Sequence, residues 1–386
     1  MADDLRRKLI LRQMGCASGV VEKAHSPEAD ERQDTVGDLP FNGRRVDQSS
    51  RNAHELGTNE GPVDLNTSWK EFFSENEDFV IEQRNFTFNT YYNLPASLKI
   101  GATVPVFLFH HGAGSSGLSF ATLSKALYEK MDKACVTFAF DARAHGKTRP
   151  IDTRKEVTYD LNTFVEDFVA VVEYFHHNRL LRLAKAKYSF VFVGHSLGGS
   201  ICTSSYTFFP EILRKDALGV VMLDIVEEGA ILALKNVNHF LQKTPNIFKN
   251  YQDAIDWHVQ NGLSRYRNSA EIAIPSLFRL TKSHKVQRIT NLRDFEPFWN
   301  TWFEGLSHKF VMLPCSRLLL LAGNENLDKE LIIGQMQGRY QLVVFHESGH
   351  FIQEDTPVKT ALTLHDFYIR NSFKNVTIKS NWGSQK

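Results

Sequence analysis

Several features that mark other protein classes are missing from this chain of 386 residues. No stretch approaches the ~18 consecutive apolar residues of a membrane span. The opening Met1-Ala2-Asp3-Asp4-Leu5-Arg6-Arg7-Lys8 has no apolar run of the kind a secretory leader needs. Cysteine is scarce: there are four (Cys16, Cys135, Cys202 and Cys315), with no CxxC pair and no Cys/His spacing suited to zinc. Large net charge is also missing. At +1 overall, the chain has no electrostatic basis for binding nucleic acid or a membrane surface. These absences exclude a disulfide scaffold, a zinc module and a polybasic binder. They lead us to expect free thiols, a reducing compartment (cytoplasm or nucleus), and no metal or cofactor. The Asn-Xaa-Ser/Thr sequons at Asn66, Asn85 and Asn375 then carry no meaning.

What is present is ordinary globular composition, with 42% hydrophobic and 23% charged residues. Residues 1–13 could form a short basic amphipathic helix. Residues 22–62 are polar, charged and poor in aromatics. With too little apolar surface to offset ordering entropy, residues 1–62 are expected to be a largely disordered tail, with order starting near Trp69, Phe72 and Phe73. The remainder, 63–386, reads as one α/β domain. Six short apolar runs (104–110, 134–140, 189–193, 218–223, 318–322 and 342–345) alternate with helical patterns. One of these patterns places Leu161, Phe164, Val165, Phe168, Val172 and Phe175 on a single helix face. Runs that are apolar throughout suit a mostly parallel sheet covered on both faces. About ninety residues, 227–315, separate the fourth and fifth runs without a comparable strand. That is more than a connecting loop, and it predicts a helical cap, rich in tryptophan (Trp257, Trp299, Trp302), over the carboxyl edge of the sheet.

The chemistry is concentrated in three places. Gly194-His195-Ser196-Leu197-Gly198 matches GxSxG, directly after a strand and directly before a helix. In that context the serine sits on a sharp turn, exposed as a nucleophile, with helix-terminal amides beside it. His110-His111-Gly112-Ala113-Gly114 ends an earlier strand and resembles a loop that supplies one amide of an oxyanion hole. We assign the two amides to Ala113 and Leu197, and give His110 and His111 structural roles. The base should lie in a loop after the last strand, and Ser348-Gly349-His350 fits better than His346, which lacks the glycine turn. This constellation is that of a serine hydrolase of the α/β-hydrolase fold. Two acids remain open: Asp224 ends the fourth run and Asp328 follows the fifth. The usual layout, with the acid one strand before the histidine's, favours Asp328. Asp141 comes too early in the order serine, acid, histidine and is expected to brace loops.

The segments GHSLGGSICT, MLDIVEEGAI, GNENLDKELIIGQMQG and SGHFIQED together resemble the protein phosphatase methylesterases in their fungal form, across roughly residues 66–386. The GHSLGG and SGH pieces are shared by many α/β-hydrolases; LDIVEE and GNENLDKELIIGQMQG are more specific. The resemblance implies removal of the methyl ester from the C-terminal leucine of the type 2A protein phosphatase catalytic subunit. It also implies a triad of Ser196, Asp224 and His350, and so overrides the preference for Asp328. The acidic cap insertion of some family members is absent here. Two rival readings are a small-molecule serine esterase on the same fold and a non-catalytic phosphatase-binding regulator with a vestigial site.

Overall fold

The computed structural model describes residues 68–98, 101–183, 186–323 and 326–372. The expected tail, 1–62, lies outside the described residues. Eight main strands form the central sheet: β1 (Glu75–Ile81), β2 (Phe86–Asn93), β3 (Thr103–His110), β4 (Val136–Phe140), β5 (Lys187–His195), β6 (Ala217–Leu223), β7 (Ser316–Ala322) and β8 (Gln341–Phe345). Their order across the sheet is β1-β2-β4-β3-β5-β6-β7-β8, and a ninth short strand, Arg149–Pro150, pairs with β2. From β4 to β8 every pairing is parallel. The β1–β2 hairpin is antiparallel, and β2 meets β4 antiparallel.

The hairpin is the main element that the apolar-run reading did not find. Its signal is the alternation of Phe86, Phe88, Thr90 and Tyr92, partly hidden by the intervening polar residues. Asn85 makes the reversal with φ 59°, a left-handed conformation that asparagine tolerates better than most residues.

Period-2 alternation explains why the central strands look uniformly apolar. On β5, Phe190 and Phe192 face one core, while Val191 and Val193 face the other. Val220 and Met222 against Val221 and Leu223 repeat this on β6. Both faces are buried, so neither position of the repeat can be polar. The helices Leu161–Asn178 and Leu197–Ser205 cover one face, and Ala121–Lys130 and Pro357–Ser372 the other. The first of these is capped by Asp160, whose side chain accepts from Thr163 N at 3.0 Å.

Residues 227–315 are mostly helical and also hold a small antiparallel sheet of Ile247–Phe248, Val286–Arg288 and Phe278–Leu280. Strands of two or three residues are too short to show a period. The segment packs on the turns and helices that follow β3, β4 and β8. Thr122 Oγ1 meets Ser269 Oγ at 2.8 Å, Thr290 Oγ1 donates to Ala144 O at 2.9 Å, and Ser269 Oγ donates to Glu354 O at 2.7 Å. Trp299 and Trp302 are buried in the core on the β5-Phe192 face, and Trp302 Nε1 donates to Tyr159 O at 2.8 Å. Those two tryptophans therefore serve packing. No described helix is long and apolar enough to cross a membrane.

Candidate active site

The serine turn is set by close approach of backbone to backbone. A Cβ on Gly194 would lie 2.1 Å from Gly198 O, and one on Gly198 would lie 2.1 Å from His110 O. Only glycine lets β5, the helix Leu197–Ser205 and the end of β3 meet there. Between them Ser196 is forced to φ 52°, ψ −122°, a conformation costing on the order of 1–3 kcal/mol for a non-glycine residue. It is held by Ser196 N donating to Leu223 O at 3.0 Å and Gly199 N donating to Ser196 O at 2.8 Å. Ser196 stands at the N-cap of its helix, yet its hydroxyl makes no capping bond.

Asp224 follows β6 directly, and the register pairs His195 with Leu223. Ser196 and Asp224 therefore leave neighbouring strands at the same level. Asp224 also has a left-handed backbone, φ 51°. Its N–H donates to Leu320 O at 2.8 Å, and Ala322 N donates to its Oδ1 at 2.7 Å. Its Oδ2 then accepts from His350 Nδ1 at 2.7 Å, with the Asp224 side chain 3% exposed and that of His350 25%. This bond puts the second proton site of the imidazole, Nε2, on the side away from the carboxylate.

Asp328 is elsewhere. It caps the helix Lys329–Met336, accepting from Leu331 N at 3.0 Å, while Ser307 Oγ donates to its other oxygen. The layout preference that pointed to Asp328 fails for a simple reason. Asp328 lies past the end of β7 and begins a helix, so both its oxygens are spent on a cap and a brace. The end of β7 supplies an amide to the acid through Ala322 rather than the acid itself.

The loop carrying Ala113 is braced by histidines. His145 Nδ1 donates to Arg143 O at 2.8 Å, so its Nε2 is an acceptor, and Gly114 N donates to it at 2.8 Å. His111 Nδ1 donates to Gly112 O at 2.7 Å, and its Nε2 accepts from Ala142 N at 2.9 Å. Burial pushes His110 and His145 down to about 4 and His111 well below its ordinary value, so these braces stay neutral. His110 Nδ1 donates to His111 O at 2.9 Å, so His110, like His111 and His145, holds backbone in this loop. The role of His145 was not visible in the sequence because it acts across 31 residues. Asp141 braces loops: it accepts from Gly117 N at 2.8 Å, Lys147 N at 2.9 Å and Asn89 Nδ2 at 2.9 Å. The amides of Ala113 and Leu197 make no hydrogen bond among the described residues, which leaves two donors of the kind an oxyanion needs.

The His350 loop is fixed from below and from the side. His195 Nε2 donates to His350 O at 2.8 Å. Gly349 N and Arg265 N each donate to Asp355 at 2.7 Å. The neighbouring Glu354 is buried, accepts from Ser119 Oγ and Ser264 Oγ, and is pushed up to about 8 by desolvation. Among the described residues, no three His, Cys, Asp or Glu side chains come together as a metal site. The arrangement can transfer an acyl group: a serine on a strained turn, a carboxylate-held imidazole, and two unspent amides beside the serine.

Residues 105–357 match the model of the alpha/beta hydrolase fold family. Among curated relatives, Protein phosphatase methylesterase 1 of Candida glabrata is 53% identical, with 100% of this chain and 99% of the relative covered. Its Saccharomyces cerevisiae counterpart is 52% identical, again with 100% and 99% covered, and that of Schizosaccharomyces pombe is 36% identical over 84% and 90%. Solved structures agree in fold. E-2-(acetamidomethylene)succinate hydrolase superposes with TM-score 0.57 at 16% identity, covering 76% of this chain and 100% of that one. A peroxisomal alpha-beta-hydrolase of Saccharomyces cerevisiae gives 0.54 at 14%, over 74% and 82%.

Proposed function

Because the chain belongs to the protein phosphatase methylesterase family of α/β-hydrolases, we propose that it demethylates the C-terminal leucine methyl ester of the type 2A protein phosphatase catalytic subunit through an acyl-enzyme on Ser196. The observation that carries the chemistry is the 2.7 Å bond between His350 Nδ1 and Asp224, one strand away from a serine held at φ 52°.

His350 Nε2 takes the Ser196 proton as Oγ attacks the ester carbonyl. Asp224 fixes the imidazole's tautomer and stabilises its cationic form. Charge arriving on the carbonyl oxygen is met by the amides of Ala113 and Leu197. The tetrahedral intermediate expels methoxide, which takes the proton from His350 and leaves as methanol. Water then gives a proton to His350 and attacks the acyl-serine. Collapse returns the proton to Ser196 and releases the free carboxylate. Methanol is too small to confer selectivity, so recognition falls on the acyl side, a peptide C-terminus. The inserted segment 227–315 is the cap that would receive it. The buried free thiols Cys135 and Cys202 suit the reducing cytoplasm or nucleus, where we place the protein.

The test is release of label from phosphatase carrying a radiolabelled C-terminal methyl ester. Wild type should release it, and Ser196→Ala should lose at least about 10⁴ of the rate. Cleavage of a generic aryl ester with no release from the phosphatase would instead make this a small-molecule esterase. Undiminished inhibition of the phosphatase by Ser196→Ala would add a binding role.

A further inference from the structure

A half-buried guanidinium without an acid stands in the cap. Arg288, on the last residue of Val286–Arg288, lies with its Cζ 4.9 Å from the centre of the Phe278 ring. One Nη donates to His258 Nε2 at 3.1 Å. His258 is itself fixed as the Nδ1–H tautomer by donating to Ala254 O at 2.7 Å, so its Nε2 is a neutral acceptor. Burial first, and Arg288 second, hold His258 down to about 4. Arg288 Nε is sealed from solvent with no hydrogen-bond partner. No ion pair to Arg288 or to Arg293 exists among the described residues. The nearest acid in sequence, Asp294, accepts from Asn291 Nδ2 at 2.6 Å.

A desolvated cation with no counter-charge costs several kcal/mol unless something supplies the charge. The body shows what the same chemistry looks like when it is satisfied. Arg143, which is more deeply buried, has two bonds to Asp167. Arg288 instead lines a small cleft of about 20 Å³, open to solvent, with Leu241, Asn246, Leu292 and Arg293. The cleft borders the catalytic loop, because Leu292 methyls lie 3.1 Å from where a Cβ on Gly114 would stand. Gly114 adjoins Ala113, the proposed oxyanion donor. An extended acyl chain leaving the ester therefore has this cleft beside it.

We propose that Arg288, with Arg293, forms a subsite that reads an oxyanion on the substrate's peptide tail, a carboxylate or phosphate upstream of the ester, and so acts as a specificity-determining residue. The inference rests on the methylesterase reading above. The planar fork of an arginine, already held by Phe278 and His258, is pre-organised for such a group at little entropic cost.

The experiment uses the full chain and synthetic peptides ending in leucine methyl ester. Aspartate, asparagine or phosphoserine is placed at successive positions upstream. For wild type, kcat/KM should favour an aspartate or phosphoserine peptide over its asparagine twin by about tenfold or more at one position, chiefly through KM. Which anion gains more separates the carboxylate source from the phosphate source. Arg288→Gln should bring that ratio close to one, and Arg288→Lys should keep part of it. Equal rates for acidic and amide peptides at every position, or a preference that survives Arg288→Gln, would overturn the subsite. If Arg288→Gln does not fold, the wild-type ratio and its decline with added salt decide the matter. Should wild type cleave aryl esters but neither the peptide methyl esters nor the methylated phosphatase, the methylesterase reading falls and takes the subsite with it. Peptides cleaved without regard to charge remove the subsite alone.

Discussion

The carboxyl edge of the sheet and the cap above it are built on opposite terms. At the edge, almost every polar group is spent. Asp224, Asp141, His111 and His145 each hold a specific amide, and glycines allow backbones to touch. In the cap, the helix Glu227–Lys243 buries only Ala230 and leaves Ile231 41% exposed. Across from it, Arg288 has no acid. The edge thus has one geometry and little room for another, whereas the cap has surface and charge left over. Under the proposed function, the contrast fits chemistry at the edge and substrate choice in the cap, because catalysis needs preorganised groups and recognition needs groups not yet satisfied.

The strongest way to break this contrast is to add one methyl to each region. Gly198→Ala drives a Cβ to within 2.1 Å of His110 O. It should cost about 3 kcal/mol or more and abolish activity, as read by chemical denaturation. Gly229→Ala, in the cap helix, meets nothing within 4 Å. It should leave activity intact and stabilise by about 0.5–1 kcal/mol. Equal effects at the two positions would erase the distinction.

Between these extremes lies the seam. Glu354 joins Ser119 of the body to Ser264 of the cap and titrates at about 8 in the fold, against about 4.3 in the unfolded chain. The native state binds the extra proton, so stability falls as pH rises through that window and is flat above it. Glu354→Gln removes the charge while leaving one oxygen to accept, with the second serine hydroxyl turning to accept from the amide NH2. It should flatten the pH dependence of Tm between those values and stabilise by roughly 1–3 kcal/mol at the alkaline end. An unchanged slope would mean that another group titrates there.

The sequence made the edge legible and the cap much less so, for physical reasons. Strands such as 189–193 are apolar because both faces are covered, and GHSLG is glycine-rich because three backbones meet there. Such constraints are local and leave a pattern. The choice between Asp224 and Asp328 is not local. Both end apolar runs, so spacing leaves the choice open; the family resemblance implies Asp224, and the sheet order shows that it meets His350 while Asp328 caps a helix. His145 acts across a long loop, and the cap strands are too short to show a period. Arg288 looks like any other arginine until the missing acid can be seen in three dimensions.

The most direct test of the account is the rate of methyl release by Asp224→Asn set beside Asp328→Asn. Asp224→Asn should lose about 10⁴ in kcat with the fold intact, because the imidazole loses its tautomer and its counter-charge. Asp328→Asn should keep most of its activity and lose about 1 kcal/mol or less of stability, since asparagine also caps helices. Activity retained by Asp224→Asn and lost by Asp328→Asn would contradict the account.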